Sequence, residues 1–425
     1  MAIVRLEHEG LSRRDKQWNF AACLTDAVGW PLGAALISTV TILPLFLKHL
    51  GAGNIAVGAL PALYNLLIFA PGLWLAGYIS RLRRARGYLL GIALLERLAL
   101  LPLGVLTLLW GDIHREWLLW VTFGCIGVHA LMMGLNQPAY WVVIGKCIPA
   151  HWRGRLFGLA GGLSGLLGLG MERLLRRFLS GPHGGFPLGY GHAFLLGFAL
   201  MTVSVLPLGA VREPVAVHDD PHAGHYWHDS LRVWRGNPGF RRFLRAQIAV
   251  ALASLSVPFF ILDAAHRLHA GGATAGYTAT LLLTSAFGGM GWGAWSDHVG
   301  NKRVVLMSAL CLAVAPVLAV VAPSGAVYYG VFGLSALGSA GVALAGNNIV
   351  MEYAGSARDI PLYTALYNII TALPRAAAPL VGGWFANSFG YGPVFLCSAF
   401  LGLIGFALTL RAGEPRHTEN RLHVS

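Results

Sequence analysis

Runs of predominantly apolar residues recur along this chain, each long enough to cross a hydrocarbon layer about 30 Å thick as a helix of about 20 residues. They fall at approximately 19–47, 55–79, 88–110, 117–144, 156–175, 190–211, 243–265, 273–295, 304–322, 327–351, 361–386 and 391–410. The pattern predicts twelve transmembrane helices, here numbered spans 1 to 12. The longest non-apolar stretch, about residues 212–242, divides them six and six. The expected organisation is an N-terminal six-helix bundle over 1–212, a cytoplasmic linker over 213–242 and a C-terminal six-helix bundle over 243–425.

Composition sharpens this reading. Of 425 residues, 56% are apolar and only 12% charged, against roughly 25% charged in an ordinary soluble domain. With a mean hydropathy of +0.62, the balance excludes a disordered chain, a disulfide-stapled secreted domain and most cytosolic enzymes. The 55 glycines and 21 prolines would punctuate soluble helices, but membrane bundles tolerate them, and small residues let helix backbones approach. Gly161, Gly165 and Gly168 give span 5 such a face. Cys23, Cys125, Cys147, Cys311 and Cys397 are scattered without C-x-x-C spacing, so neither a disulfide framework nor a zinc site is expected. The first 18 residues lack the apolar core of a cleavable signal, which leaves insertion to the membrane helices themselves.

A formal net charge of +13 could suit nucleic acid or an anionic membrane surface. The basic residues sit in short clusters between apolar runs, with no nucleic-acid motif, which favours the membrane. One side receives the N-terminal Arg5, Arg13, Arg14 and Lys16, the loop with Arg81, Arg83, Arg84 and Arg86, Lys146, Arg153 and Arg155, and most of the central and C-terminal arginines. The other side receives only Lys48, Arg115, Arg173, Arg176, Arg177 and Arg267. The positive-inside bias places both termini in the cytoplasm, and the expected location is a bacterial inner membrane. The central segment carries His222, His225 and His228 in an H-x-x-H-x-x-H spacing; a solvated linker is preferred there over a metal site.

A degenerate internal repeat is present. Asn136-Gln137 and Asn347-Asn348 lie 211 residues apart, Gly77 and Gly293 lie 216 apart, and Arg153 and Arg358 lie 205 apart. Similar offsets at matching places argue for duplicated six-helix units.

Between spans 8 and 9 the chain reads Gly293-Ala294-Trp295-Ser296-Asp297-His298-Val299-Gly300-Asn301-Lys302-Arg303. This resembles the signature loop of the major facilitator superfamily, G-x-x-x-D followed by a glycine and two basic residues. The N-terminal copy keeps Gly77 but puts Arg81 where the family has its acid. Pro149 to Arg155 and Pro379 to Gly383 resemble the family's entry to helix 5 and part of helix 11, while the proline-glycine signature of drug antiporters is missing from span 5. The resemblance implies two pseudo-symmetric six-helix bundles with a substrate path between them, lined mainly by spans 1, 4, 7 and 10. Gly77, Arg81, Gly293, Asp297, Gly300, Lys302 and Arg303 would then form a conformational gate, with Asp297 pairing with a basic group.

Charges inside lipid-length spans cost about 2.5–3.5 kcal/mol on insertion scales and usually face a cavity or a partner. Asp26, Glu96 and Asp263 are candidates for proton coupling. Glu96 and Arg97, about 100° apart on one helix, are not expected to face each other, and a packing role or a pair with another helix is expected for them. Thr364, Asn368, Thr371 and Arg375 share one face of span 11. That stripe should meet the cavity or an acid, with Asp263 and Asp26 the nearest candidates. His129, Met133, Asn136 and Tyr140 share a face of span 4 with Gln137 beside them; Gln247, Ser254 and Pro258 align on span 7; Asn347 and Asn348 occupy the matching part of span 10. These donors and acceptors suit a polar or amphipathic ligand, and interhelical hydrogen bonds of about 0.6 kcal/mol are the competing explanation. Trp30, Trp74, Trp141, Trp292 and Trp384 are expected as belt anchors or packing groups.

No Walker loop, catalytic triad or nucleotide site is present, so neither an enzyme nor a cofactor is expected. The reading is a monomeric secondary transporter for a small organic solute, surrounded by membrane lipid, with a proton as the candidate coupling ion and no nucleic-acid partner. A non-transporting receptor or scaffold, and a flippase for lipid-linked substrates, are the alternatives on the same fold.

Overall fold

The computed structural model describes residues 11–79, 82, 84–180, 185–214, 233–234, 236–354 and 359–413, with the side chains of 70, 72–79, 150 and 361 outside that description. Arg81, Arg358 and the histidine-bearing segment His222 to His228 lie outside the described residues. Among the described residues all regular structure is helical, and the helices form twelve spans. Four are single helices in the first half or its equivalent position: Asn54–Ile79 (span 2), Arg115–Cys147 (span 4), Ala150–Ser180 (span 5) and Thr274–Val299 (span 8). Asn301–Val321, Val327–Ala354, Ile360–Phe389 and Tyr391–Arg411 form spans 9 to 12. Eight of the twelve, spans 3, 4, 6, 7 and 9 to 12, are long and apolar enough by length and composition to cross a membrane. Span 5 carries Arg153, Arg155, Glu172, Arg173, Arg176 and Arg177 towards its ends and falls outside that group.

The other four spans are interrupted, each at a place the local sequence explains. Span 1 begins earlier than its apolar run, at Arg13, where Ser12 and Asp15 form a capping box that satisfies two backbone donors. It stops at Ala35 and resumes at Ile42–His49. The interval holds Ser38-Thr39-Val40-Thr41, whose β-branched and hydroxyl side chains favour non-helical backbone. Span 3 comprises Arg86–Leu98 and Leu100–Trp110, with Pro102 in the first turn of the second piece. Span 6 runs from Leu188 to Val205 and tightens into a 3₁₀ turn at Leu206–Ala210 around Pro207.

Span 7 comprises Pro238–Leu252, a 3₁₀ turn at Ala253–Ser256 and Val257–Arg267. Pro258 supplies no N–H to the preceding turn, and the freed carbonyls are taken up locally. Ser398 on span 12 donates to Ala253 O, its hydroxyl lies 2.8 Å from that of Ser256, and Gly382 on span 11 packs directly on Leu255 O.

The chain divides into two compact units. One comprises Met1–Ser38 with Leu67–His222, the other Thr39–Leu66 with Ala223–Ser425. Residues 39–66, in the first half by sequence order, pack within the second unit: Thr41 and Thr278 hydroxyls meet at 2.8 Å, Tyr391 donates to Asn54 Oδ1 at 3.2 Å, and Gly58 lies against Pro379 O. In the first unit a core of Cys23, Leu89, Ala139, Val143 and Val205 is flanked by Tyr140 and Trp152. In the second, Phe240, Phe243, Val304, Ile349 and Tyr367 form the corresponding core.

Candidate functional site

The first unit holds a buried polar cluster built from four spans. Asp26 and Trp30, one turn apart on span 1, face Glu96 and Arg97 on span 3. Asp26, Glu96, Arg97 and His129 are 5%, 1%, 2% and 0% exposed, so none of these groups has bulk water as its solvent. Arg97 Nη2 lies 3.2 Å from Asp26 Oδ1, and Arg97 Nη1 lies 3.3 Å from Glu96 Oε2. The guanidinium is held in place by two backbone carbonyls, Met201 O and Ala93 O, each at 2.8 Å. Glu96 Oε1 accepts the indole N–H of Trp30 at 3.0 Å, and Oε2 accepts the Asn136 amide at 3.4 Å. His129 Nδ1 lies 3.1 Å from Glu96 O, and the Ser204 hydroxyl lies 3.5 Å from Asp26 Oδ1. Spans 1 and 6 can bring Asp26 and Ser204 together because Gly29 and Gly33 face Ser204 and Met201, where a Cβ would overlap those side chains.

Two expectations are corrected here. Glu96 and Arg97 do meet, although adjacent on one helix: the long Arg97 side chain turns back over the preceding turn to Ala93 O, which brings its Nη1 within reach of the Glu96 carboxylate. Trp30 is a hydrogen-bond donor to a buried carboxylate as well as a packing group. The span 4 face is brought to the cluster through His129 and Asn136, whereas Tyr140 packs on the apolar core and Gln137 points to the exposed side.

The second unit disperses its candidates. Arg375, on the stripe expected to meet the cavity or an acid, lies over the Tyr367 ring, 5.9 Å from its centroid, with Nη2 3.3 Å from the Tyr367 hydroxyl. Tyr367 is itself buried and stacked on Phe243 at 6.2 Å. Asn368 is half-buried on the same helix, and Thr371 is buried and bonds Tyr367 O. Gln247 is 1% exposed, and neither of its amide atoms has a hydrogen-bond partner among the described residues.

Asp263 belongs to a different arrangement. It pairs with Arg267 one turn away, with Nη2 2.9 Å from Oδ2, and accepts the Tyr328 hydroxyl. Arg267 also donates to Ala319 O at 2.7 Å and Ala322 O at 3.1 Å. The pair therefore caps the C-terminal end of span 9 and fastens the start of span 10 to span 7.

The signature loop is anchored by a residue that sequence reasoning passed over. Asn301 donates to Glu352 Oε1 at 2.8 Å and accepts from Asn348 at 3.2 Å; Asn348 thus serves the loop, while Asn347 is exposed and bonds Ala343 O in its own helix. Gly300 joins spans 8 and 9 at φ +89°, a backbone region that favours glycine. Lys302 donates to Leu410 O at 3.2 Å, and Arg303 is exposed. Asp297, expected to pair with a base, is exposed and has no ion pair among the described residues. Gly293 approaches Leu344 without tight contact, and the side-chain environment of Gly77 lies outside the description.

Glu213 lies beyond the apolar run of span 6, where a search for charges within spans does not reach. Its carboxylate accepts the Ala85 and Arg86 N–H groups at 2.9 and 2.8 Å, so it caps the first turn of span 3, and it pairs with buried Lys146 at 3.0 Å. Among the described residues no group of three His, Cys, Asp or Glu side chains could hold a metal ion.

Comparison with known proteins gives a family match over the C-terminal part of the chain and a fold for the whole. Residues 246–424 match the family model described as Major Facilitator Superfamily. A search of curated proteins finds no match. Among solved structures, the chain is similar to the nucleoside transporter NupG, with a TM-score of 0.70 at 11% identity over 93% of this chain and 99% of that one. It is similar to a bacterial homologue of the human lysosomal transporter Spinster, with a TM-score of 0.62 at 16% identity over 94% and 95% of the two chains. FucP, a Major Facilitator Superfamily transporter, gives a TM-score of 0.61 at 14% identity over 94% and 100%. The signature loop, the helical spans and these similarities converge on one fold: residues 246–424 match the Major Facilitator Superfamily model, and the chain as a whole is a multi-pass membrane protein that shares its helical architecture with solved transporters of that superfamily.

Proposed function

We propose that this chain is a secondary active transporter that moves a small organic solute by alternating access, with proton movement coupled to it through the buried cluster of the first unit. The observation that carries the reading is the meeting of Asp26, Glu96, Arg97 and His129 out of water on spans 1, 3 and 4. Two carboxylates converge on one guanidinium. In a low-dielectric interior an uncompensated charge is costly, so the cluster gains or loses one proton more readily than it tolerates a net charge. A group that changes protonation as its surroundings alternate is what coupling to a proton gradient requires.

The cargo side of the reading draws on the second unit, where Gln247, Asn368, Thr371 and Arg375 offer neutral and cationic donors from spans 7 and 11. The names of the similar structures, a nucleoside transporter and a POT family transporter in complex with 5-aminolevulinic acid, accord with a small organic cargo. On this reading the chain acts as a monomer in a bacterial inner membrane; the distribution of Lys and Arg supports placing both termini in the cytoplasm. Its chemistry is transport, with no enzymatic step.

The test is uptake by purified protein in proteoliposomes against a panel of nucleosides, sugars, amino acids and short peptides, with and without an imposed pH gradient. Accumulation of at least one solute that depends on the gradient is expected. Flux of fluorescent lipid with no solute uptake would assign the fold to lipid translocation instead.

A further inference from the structure

Between its charged ends, span 5 turns small residues inward and leucines outward. The helix packs on spans 1 and 6, and Ala160, Ser164, Gly165 and Gly168 are buried. Leu159, Leu163 and Leu166 are instead 51%, 42% and 59% exposed. A row of bare leucines is stable where its solvent is hydrocarbon, since lipid tails are as apolar as leucine itself. At about 100° per residue, Arg155, Leu159, Leu163, Leu166, Arg173 and Arg177 fall within one arc of about 80°, and all six are exposed. No ionisable side chain lies between Arg155 and Glu172. The rise from Arg155 to Arg173 is about 27 Å at about 1.5 Å per residue, close to a hydrocarbon thickness of about 30 Å. The stripe is therefore apolar over the depth of the lipid tails and cationic where the headgroups begin.

The far end of the stripe concentrates positive charge. Arg176 is paired with Glu172 one turn away, while Arg173 and Arg177, also one turn apart, form no ion pair among the described residues. The backbone sets the direction in which they point: Gly185 N–H donates to Phe178 O at 2.7 Å, and Gly189 on span 6 lies so close to Phe178 O that a Cβ would overlap it. Arg173, Arg176 and Arg177 are also half of the six basic residues that the Lys and Arg distribution assigns to the non-cytoplasmic side. Of the others, Arg267 is paired with Asp263 and Arg115 lies 4.0 Å from Asp112. Three arginines within two turns on that side run against the positive-inside bias, and an anionic partner at headgroup level accounts for them. The planar guanidinium fork matches the oxygens of a phosphate.

We propose that Arg173 and Arg177 hold the phosphate of an anionic phospholipid whose acyl chain lies along Leu166, Leu163 and Leu159. One such molecule satisfies both parts of the stripe. A soluble phosphate would meet the arginines and leave the leucines uncovered. A second copy of this chain, related by a two-fold axis along the membrane normal, would bring the same arginines face to face at one depth, where like charges repel. A zwitterionic lipid carries its own ammonium beside the phosphate, so a net negative headgroup is the better match to two guanidinium groups. The site does not depend on what the chain transports.

The test adds phosphatidylglycerol, phosphatidylcholine with the same acyl chains, or inorganic phosphate to the whole purified protein in a neutral detergent, and counts bound molecules by native mass spectrometry. Phosphatidylglycerol should be retained at concentrations where the other two are not. In the double variant Arg173→Gln, Arg177→Gln its affinity should fall about thirtyfold, at about fivefold per arginine. Phosphatidylglycerol with a photoreactive acyl chain should label the wild-type protein between Leu159 and Leu166, a readout that requires no variant to fold. Equal retention of the two lipids, retention of inorganic phosphate in place of lipid, labelling confined to other spans, or a dimer that shields the leucines from the photoreactive lipid would each overturn the assignment.

Discussion

Trp30 donates its indole N–H to Glu96 Oε1 at 3.0 Å, and Asp26, four residues earlier on the same helix, meets Arg97 at 3.2 Å. A single face of span 1 therefore grips both members of an adjacent acid–base pair on span 3. Trp30→Phe keeps most of the ring volume and removes one donor to a buried carboxylate, a loss of about 1–3 kcal/mol. The thermal unfolding temperature of the purified protein should fall accordingly; an unchanged temperature would mean that the indole N–H contributes little to holding Glu96.

Glu213 and Lys146 form a second buried pair, 3.0 Å apart. Glu213→Ala leaves the Lys146 ammonium buried without this partner and the first turn of span 3 without its cap, and removal of one member of such a pair costs about 3–5 kcal/mol. Adding Lys146→Met should restore much of the loss, because the buried charge that Glu213 compensates goes with it. The comparison is read from unfolding of the two variants in the same detergent, and a double variant as unstable as the single one would show that the helix cap, rather than the charge pair, dominates.

The Asp263–Arg267 arrangement fastens spans 7, 9 and 10 through Ala319 O, Ala322 O and Tyr328. Arg267→Gln should increase hydrogen exchange in residues 319–328 while leaving exchange around Asp26 and Glu96 unchanged. Equal changes at both places would contradict a local fastening role.

At the beginning of span 1, the Arg212 guanidinium beside Asp15 and the Ser12 hydroxyl hold the Asp15 carboxyl below the ordinary carboxylate range. A group whose folded value is lowered contributes stability above its unfolded value and loses it as pH falls through the folded one. Because the pair lies at the surface, with Arg212 exposed, the contribution is small. Asp15→Asn should therefore lower the unfolding temperature slightly near neutrality, and the difference from wild type should shrink in strong acid. A difference that grows in acid would reverse the assignment.

Most of the spans were legible because apolar runs of lipid-crossing length are set by composition, and Gly300 marked the turn between spans 8 and 9, where φ is positive. Individual partners were less legible. The Glu96–Arg97 contact depends on an arginine stem folding back along its helix, a rotamer choice that residue spacing does not encode. Arg375 lay on the polar stripe its spacing described, but its meeting with Tyr367 depends on how one turn of span 11 stacks on Phe243. Glu213 and Asn301 escaped notice because they flank spans, and only the fold brings Glu213 to the start of span 3 and Asn301 to Glu352.

The central claim is that proton movement and solute movement are coupled through Asp26. Proteoliposomes holding the purified chain and an internal pH-sensitive dye test it most directly when a transported solute is added without an imposed gradient. The wild-type protein should move protons with the solute, and Asp26→Asn should still exchange labelled for unlabelled solute while moving no protons. Solute-driven proton movement that survives Asp26→Asn unchanged, or wild-type solute flux with no proton movement, would contradict the account.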